Sequence, residues 1–190
     1  IDSATTYFDS GEFQRALARR VPCATESQQA DSADALRAYL ADEMIPALEA
    51  LGFNCRTLAN PVKGGPFLIA QRTEPDAAFT LLSYGHGDVV RGYASQWFEG
   101  LSPWQLQIRG DKWYGRGSAD NKGQHTINLG ALAQTIAARG GKLGYNVKFL
   151  IEMGEEMGSP GLREICAQER LALQADVLVA SDGPRLSATR

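Results

Sequence analysis

The sequence predicts an α/β fold, a layered αβα sandwich around a mixed, mainly parallel sheet. Short apolar runs bounded by Gly, Pro and Asp alternate along the chain with segments of helical periodicity. Helices that alternate with apolar strands pack on the faces of a sheet. Apolar residues make up 44% of the 190 residues, enough for a buried core and too many for a disordered chain.

The first long element is a helix over residues 32–51. Its apolar side chains recur at intervals of three and four residues, and Gly52 follows where a C′ glycine belongs. Pro46 falls inside this pattern and has no N–H to give to the residue four positions earlier. We therefore expect a kink or a break between Asp42 and Pro46. Further helices are predicted at residues 12–19, 122–139 and 161–167.

The strands are short apolar or alternating runs separated by turn residues. They are predicted at residues 53–58, 67–72, 79–84, 105–109, 145–151 and 176–181. Sheets of this class bind ligands beyond the carboxyl ends of their strands. Functional side chains are therefore expected just after these runs.

One imidazole and five carboxylates follow three of these strands or precede the helix at residue 122. They are His86, Asp88, Asp120, Glu155, Glu156 and Asp182. Gathering this much negative charge at one sheet edge is costly unless a cation neutralises it. Histidine together with carboxylates is a ligand set for zinc and neighbouring divalent metals. The sequence therefore predicts a metal site at the strand ends.

The local spacings fit such a site. Asp88 lies two residues after His86, so in an extended segment both face the same side and the carboxylate can orient the imidazole. Glu155 and Glu156 are adjacent, which allows one to hold metal while the other faces a water as general base. Asp120 has two oxygens and can bridge two metals, although it could also be the N-cap of the following helix.

These residues lie in four ordered motifs that resemble the M20 metallopeptidases, a family of carboxypeptidases, di- and tripeptidases, aminoacylases and related deacylases. The motifs are His86–Val90 (HGDVV), Trp113–Gly123 (WYGRGSADNKG), Glu155–Ser159 (EEMGS) and Ser181–Gly183 (SDG). The resemblance extends over roughly residues 30–190.

The resemblance implies a role for each candidate residue. Metal ligands would be His86 and Asp182 on one zinc, Glu156 on the other, and Asp120 as the bridge between them. Glu155 would be the general base, and Asp88 would orient His86. The family also has a cis peptide bond after the bridging aspartate, here Asp120–Asn121. Co²⁺ or Mn²⁺ could replace the two zinc ions.

The resemblance also implies that this chain is part of a larger active unit. Family members carry a further zinc-binding histidine and an inserted lid and dimerisation domain that supplies an oxyanion-stabilising histidine. This chain has two histidines, His86 and His125, and the second is expected to be structural or on the surface. We therefore expect residues 1–190 to be an incomplete N-terminal portion of the zinc-peptidase-like catalytic domain, inactive alone, with the complete protein a possible homodimer.

The function predicted from the sequence is metal-dependent hydrolysis of amide bonds in a small peptide or an N-acyl amino acid. Two alternatives stay open: another two-metal hydrolase such as a phosphoesterase, and a non-catalytic module that kept the fold. A net charge of −3 without a Lys/Arg cluster argues against a nucleic-acid partner. The apolar runs are too short for a membrane helix. Three widely spaced cysteines without a CxxC pair favour a reduced, cytoplasmic setting.

Overall fold

The computed structural model describes residues 2–183; Ile1 and residues 184–190 lie outside the described part. The helices are α1 Asp2–Asp9, α2 Glu12–Arg20, α3 Ala33–Ala38, α4 Ile45–Glu49, α5 Lys122–Ala138, α6 Leu162–Gln168 and α7 Arg170–Leu173. The strands are β1 Asn54–Leu58, β2 Phe67–Arg72, β3 Thr80–His86, β4 Gln107–Arg109, β5 Lys112–Tyr114, β6 Asn146–Glu152 and β7 Val177–Ala180.

Five strands form one mixed sheet in the order β1-β2-β6-β3-β7. β6, β3 and β7 pair in parallel, whereas β2 pairs antiparallel with both β1 and β6. Four of the five strands therefore run in one direction and only β2 opposes them, which confirms the mixed, mainly parallel sheet. β7 is the outermost described strand at its end of the sheet, and its Val177, Leu178 and Val179 side chains are exposed.

Helices cover both faces of this sheet, which confirms the αβα layering. Alternate residues of β2 separate the two cores: Leu68 and Ala70 pack with the helical segment 33–49 and α5, while Phe67 and Ile69 pack towards α6 and α7. Because both faces are buried, β2 is a continuous apolar run instead of an alternating one.

The predicted break in the first long helix is a six-residue π-helical segment, Tyr39–Met44, between α3 and α4. Ile45 N–H donates to Leu40 O, five residues back. Pro46 then occupies the first turn of α4, where a missing N–H costs no intrahelical bond. The wider turn therefore moves the hydrogen-bond register past the proline without ending the helix.

Three of the α-helices and strands given above were not predicted from the sequence. These are α1, α7 and β5. β5 pairs with β4 in a small hairpin turned at Gly110, whose φ is 61°. Three-residue strands carry too little alternation to be read from a sequence pattern. Among the described residues, no helix combines the length and the apolar character needed to span a membrane.

Candidate metal centre

Three neighbouring strands bring the predicted residues together at their carboxyl ends. β3 ends at His86, β6 leads into the turn that carries Glu155 and Glu156, and β7 is followed by Asp182. Because these strands run parallel, their ends meet at one edge of the sheet. Asp120 joins them from the loop before α5.

The imidazole of His86 lies at the centre of this cluster and is fully buried. Its Nε2 lies 3.0 Å from Asp120 Oδ1, 3.6 Å from Asp182 Oδ2 and 3.9 Å from Glu155 Oε2. Its Nδ1 lies 3.0 Å from the carbonyl oxygen of Asp88 and 3.3 Å from Asp88 Oδ1. A carbonyl or carboxylate at one ring nitrogen orients the other towards a ligand, so Nε2 is the nitrogen that faces the carboxylates.

Asp88 is also buried, and its carboxylate holds the turn that carries the two glutamates. Oδ1 accepts the backbone N–H of Glu155 and Oδ2 accepts that of Glu156, both at 3.1 Å. The backbone at both glutamates is therefore fixed to the same side chain that contacts the His86 ring. Asp88 lies beside the cluster, consistent with the predicted orienting role.

Two overlapping groups of potential metal ligands result. Donor atoms of His86, Glu155 and Asp182 lie within 4.8 Å of one another, and so do those of His86, Asp120 and Glu156. All six residues predicted from the sequence are thus brought together, five with donor atoms in the cluster and Asp88 behind it.

The electrostatics of the cluster favour a cation. Burial lowers the pKa of His86, but hydrogen bonds to Asp120 and Asp88 outweigh it and raise that pKa to about 11. The pKa values of Glu155 and Glu156 are both raised, mainly by burial, with neighbouring carboxylates adding to the effect. The carboxylates around His86 therefore favour positive charge at the centre of the cluster. One nitrogen with several carboxylate oxygens is a donor set that fits zinc or a similar divalent ion.

Asp120 is not the cap of α5. The N-cap residue is Asn121, so Asp120 lies one position earlier and its carboxylate meets His86. The Asp120–Asn121 peptide bond is cis, as the resemblance predicts. The Asn121 side chain is buried, and its Nδ2 donates to Ser181 O at 2.8 Å. Asn121 thus connects the loop of Asp120 to the residue that precedes Asp182.

Glu152 is a residue of this region that the sequence analysis missed. It is fully buried at the end of β6, directly paired with His86 in the sheet. Its Oε1 accepts the Tyr84 hydroxyl at 2.5 Å and the Ser159 hydroxyl at 2.9 Å. Burial raises the pKa of Glu152 above its usual value. Glu152 directly follows the predicted strand 145–151, and this position could have indicated that it lies near the site.

Two buried residues of α5 were also missed or only partly predicted. Lys122 is fully buried, its ammonium donates to the carbonyl of Cys23, and burial lowers its pKa to about 8. His125 is buried as well, with Nδ1 3.1 Å from the Tyr39 hydroxyl, and burial lowers its pKa to about 3. His125 is therefore a structural histidine, one of the two expectations for it, and the surface position is wrong.

The α/β fold and this cluster of histidine and carboxylates are typical of metal-dependent hydrolase domains. The sequence profile of Peptidase family M20/M25/M40 matches residues 82–189, more than half of the chain, and the chain belongs to this family. A cysteinylglycine-S-conjugate dipeptidase of Corynebacterium striatum is 33% identical over 138 residues, covering 72% of this chain and 29% of that protein.

Solved structures agree with this assignment. Human carnosine dipeptidase 1 superposes with a TM-score of 0.87 at 27% identity, covering 98% of this chain and 42% of that one. An M20 family metallo-carboxypeptidase of Sulfolobus solfataricus gives a TM-score of 0.76 at 27% identity, covering 90% of this chain and 37% of that one. The chain thus spans less than half the length of each of these relatives.

Proposed function

We propose that this chain supplies most of a two-metal centre for hydrolysis of peptide or other amide bonds. The main support is that carboxylate oxygens of Asp120, Asp182 and Glu155 lie 3.0–3.9 Å from His86 Nε2. The names of the relatives, a dipeptidase and a carboxypeptidase among them, favour a small peptide as substrate. An N-acyl amino acid offers the same amide bond.

In this proposal His86 and Asp182 would hold one zinc, Glu156 would hold the other, and Asp120 would be a ligand of both. When bound, such ions polarise the scissile carbonyl and lower the pKa of an attacking water. Co²⁺ and Mn²⁺ fit the same mixed nitrogen and oxygen donors. Asp88 keeps the His86 ring in place through its contacts at Nδ1.

Glu155 is the proposed general base. Its carboxylate is partly exposed, whereas His86 beside it is buried, so Glu155 is open to a substrate and a water. Burial raises its pKa, and a base works best when its pKa approaches the working pH. Glu155 Oε2 would accept the proton of the attacking water and return it to the leaving amine nitrogen.

The test compares two neighbouring glutamates in the longest protein that contains this chain. Glu155→Ala should reduce kcat by about 10²–10⁴-fold and keep its metal, because it removes only the proton transfer. Glu156→Ala should lower both activity and zinc content, measured by elemental mass spectrometry after dialysis. Exposed Glu164 on α6 provides the control Glu164→Ala, which should change neither. Loss of metal in Glu155→Ala would reverse the two roles.

The remaining proposals concern the whole protein. Residues 1–190 form the N-terminal portion of a catalytic domain, and the lid, the further histidine ligand and the oxyanion donor belong to chain outside it. This portion is then inactive alone, and detectable dipeptide turnover by the purified 190-residue chain would contradict that. A cytoplasmic location is supported by three free cysteines, none of them in a disulfide. The complete protein is proposed to be a homodimer.

A further inference from the structure

A cavity lies behind the turn that carries Glu155 and Glu156. Its volume is about 660 Å³, within the range of small-molecule sites. Three segments enclose it: residues 27–37, residues 62–66 and residues 153–160. Its walls are mainly apolar, with Leu36, Val62, Pro66, Met153, Met157 and Pro160 among the lining residues. None of the candidate metal ligands lines this cavity, so it is separate from the metal centre.

The charges around this cavity have one sign. Lys63 and Arg37 line it, and none of the described lining residues is acidic, although the chain carries a net charge of −3. Arg37 is paired with Asp34 at 2.5 Å. Lys63 is exposed and forms no ion pair within the described part of the chain. The cavity therefore offers one unpaired cation at an apolar wall.

The cavity is also held open by contacts between its walls. Asn60 Nδ2 donates to Gly65 O at 3.2 Å and to Pro160 O at 2.7 Å, which joins the second segment to the third. Gly65 packs so closely on Met153 that an added Cβ would lie 2.2 Å from the Met153 carbonyl oxygen. A preformed pocket avoids the cost of ordering its walls when a ligand binds.

We propose that this cavity binds a small amphiphilic carboxylate. Its anionic head would lie against Lys63, and its apolar body would pack against Val62 and Met157, which line the cavity and are exposed. The proposal does not depend on the hydrolase function. Gln28 also lines the cavity, and its Nε2 donates to Glu156 O at 3.3 Å. A bound carboxylate would therefore contact the residue that supports the turn of Glu156.

The test is calorimetric titration of the protein with octanoate, octylammonium and octanol, which share an apolar body and differ in charge. Octanoate should bind saturably with one site and at least tenfold more tightly than either of the others. Lys63→Glu should weaken octanoate binding at least tenfold and leave octanol binding nearly unchanged. Lys142→Glu alters an exposed lysine outside the cavity and should bind octanoate as the wild type does.

A substitution that fills the cavity tests whether octanoate binds there and not at another apolar surface. Ala33 lines the cavity and is exposed, so Ala33→Trp should fold, as checked by circular dichroism, and weaken octanoate and octanol alike. The proposal is overturned if octanoate shows no saturable binding when it is titrated up to about 10 mM, a range that would reveal even a weak affinity. It is equally overturned if octylammonium binds as tightly as octanoate, or if both charge-reversal variants behave the same.

Discussion

Asp88 contacts both the backbone and another side chain of the candidate centre. Asp88 accepts the N–H groups of Glu155 and Glu156 with separate oxygens and contacts His86 with one of them. An asparagine has only one acceptor oxygen, so it must leave one of these N–H groups facing an NH₂ donor. The role of Asp88 therefore depends on a carboxylate, and not merely on a polar group of this size.

Asp88→Asn is accordingly expected to lower zinc affinity by about 10–100-fold, the usual effect of removing a partner that orients a metal-bound histidine. Competition with a chromogenic chelator measures this change. Glu164→Gln, at an exposed position of α6, is the matched control for loss of one negative charge. Equal affinities of Asp88→Asn and the wild type would show that the contacts of Asp88 do not support the metal site.

His125 predicts an acid sensitivity of the fold. Burial lowers its pKa to about 3, whereas an unfolded histidine titrates near ~6.5, so between these values only the unfolded chain takes up the proton. The stability that depends on neutral His125 is therefore fully present above pH ~6.5 and is lost as the pH falls. The loss from this residue should be about 2 kcal/mol between pH 7 and pH 5.

Urea unfolding of the wild type and His125→Gln at both pH values measures this contribution. The variant loses the contact with Tyr39 and is less stable at pH 7, so the comparison concerns only the change with pH. Its free energy of unfolding should fall by about 2 kcal/mol less than that of the wild type. Identical falls would mean that His125 is protonated in the folded protein.

The sequence could indicate which residues meet in the candidate metal centre, because their positions follow from chain order. A residue that follows a parallel strand must lie at the same edge as its neighbours, so His86, Glu155 and Asp182 could be grouped in advance. Glu152 and Lys122 could not be recognised in this way. Their burial depends on side chains distant in sequence, such as Tyr84 and the Cys23 carbonyl, which no local pattern records.

At the level of elements, the start of α5 is packed against the loop that carries Asp120. A Cβ added at Gly123 would lie 2.0 Å from Ser118 O, a backbone atom that cannot turn aside. A Cβ added at Gly130, in the same helix, would meet the Tyr7 ring at 2.7 Å, a side chain at the molecular edge. The two glycines are both buried but differ in what surrounds them.

Gly123→Ala should therefore destabilise the protein by about 1–3 kcal/mol, the usual cost of overpacking, and should also reduce zinc affinity because the loop of Asp120 is displaced. Gly130→Ala should cost less, since alanine improves helix propensity by about 1 kcal/mol. Chemical denaturation and chelator competition measure the two effects. A larger loss in Gly130→Ala than in Gly123→Ala would contradict this account of α5.

Elements were predictable where a residue type forces a local outcome. Pro46 lacks a hydrogen-bond donor, so the sequence indicates where the helix becomes irregular but not that the irregularity is a π-helical segment. Only the first strand of the β4–β5 hairpin was predicted, because the second, Lys112–Tyr114, has three residues and no recognisable alternation. α7, with four residues, is likewise shorter than any periodic pattern can reveal.

For the whole molecule, metal binding and stability should be coupled. The raised pKa of His86, about 11, favours a protonated imidazole at neutral pH, so a metal ion such as zinc would have to displace a proton to bind. Each unit of falling pH should weaken zinc binding about tenfold for every proton displaced. Zinc at 100 times its Kd stabilises the folded state by about 2.7 kcal/mol.

Thermal unfolding with zinc or with EDTA, at pH 6 and at pH 8, tests this coupling. Zinc should raise Tm at pH 8 and raise it less at pH 6 for the same total zinc. His86→Ala should remove the zinc-dependent increase at both pH values. A zinc effect that is independent of pH would show that binding does not displace the His86 proton.

The global architecture was predictable because the fold class depends on the alternation of helices and apolar strands and not on details. The direction of β2 was not predictable, since strand order and polarity follow from contacts between residues far apart. β2 lies between β1 and β6 and is antiparallel to both. A strand that is buried on both faces is apolar throughout, whichever way it runs. Its apolar run, Phe67–Ala70, therefore contained no information on polarity.

The outer edge of β7 could accept a further strand. β7 pairs only with β3 among the described strands, so its other row of amides and carbonyls is open to a further strand. A strand added there in the same direction would finish beside Asp182. Whatever side chain followed that strand would then arrive at the metal centre, so a new ligand could be supplied by extending the sheet without altering any existing element.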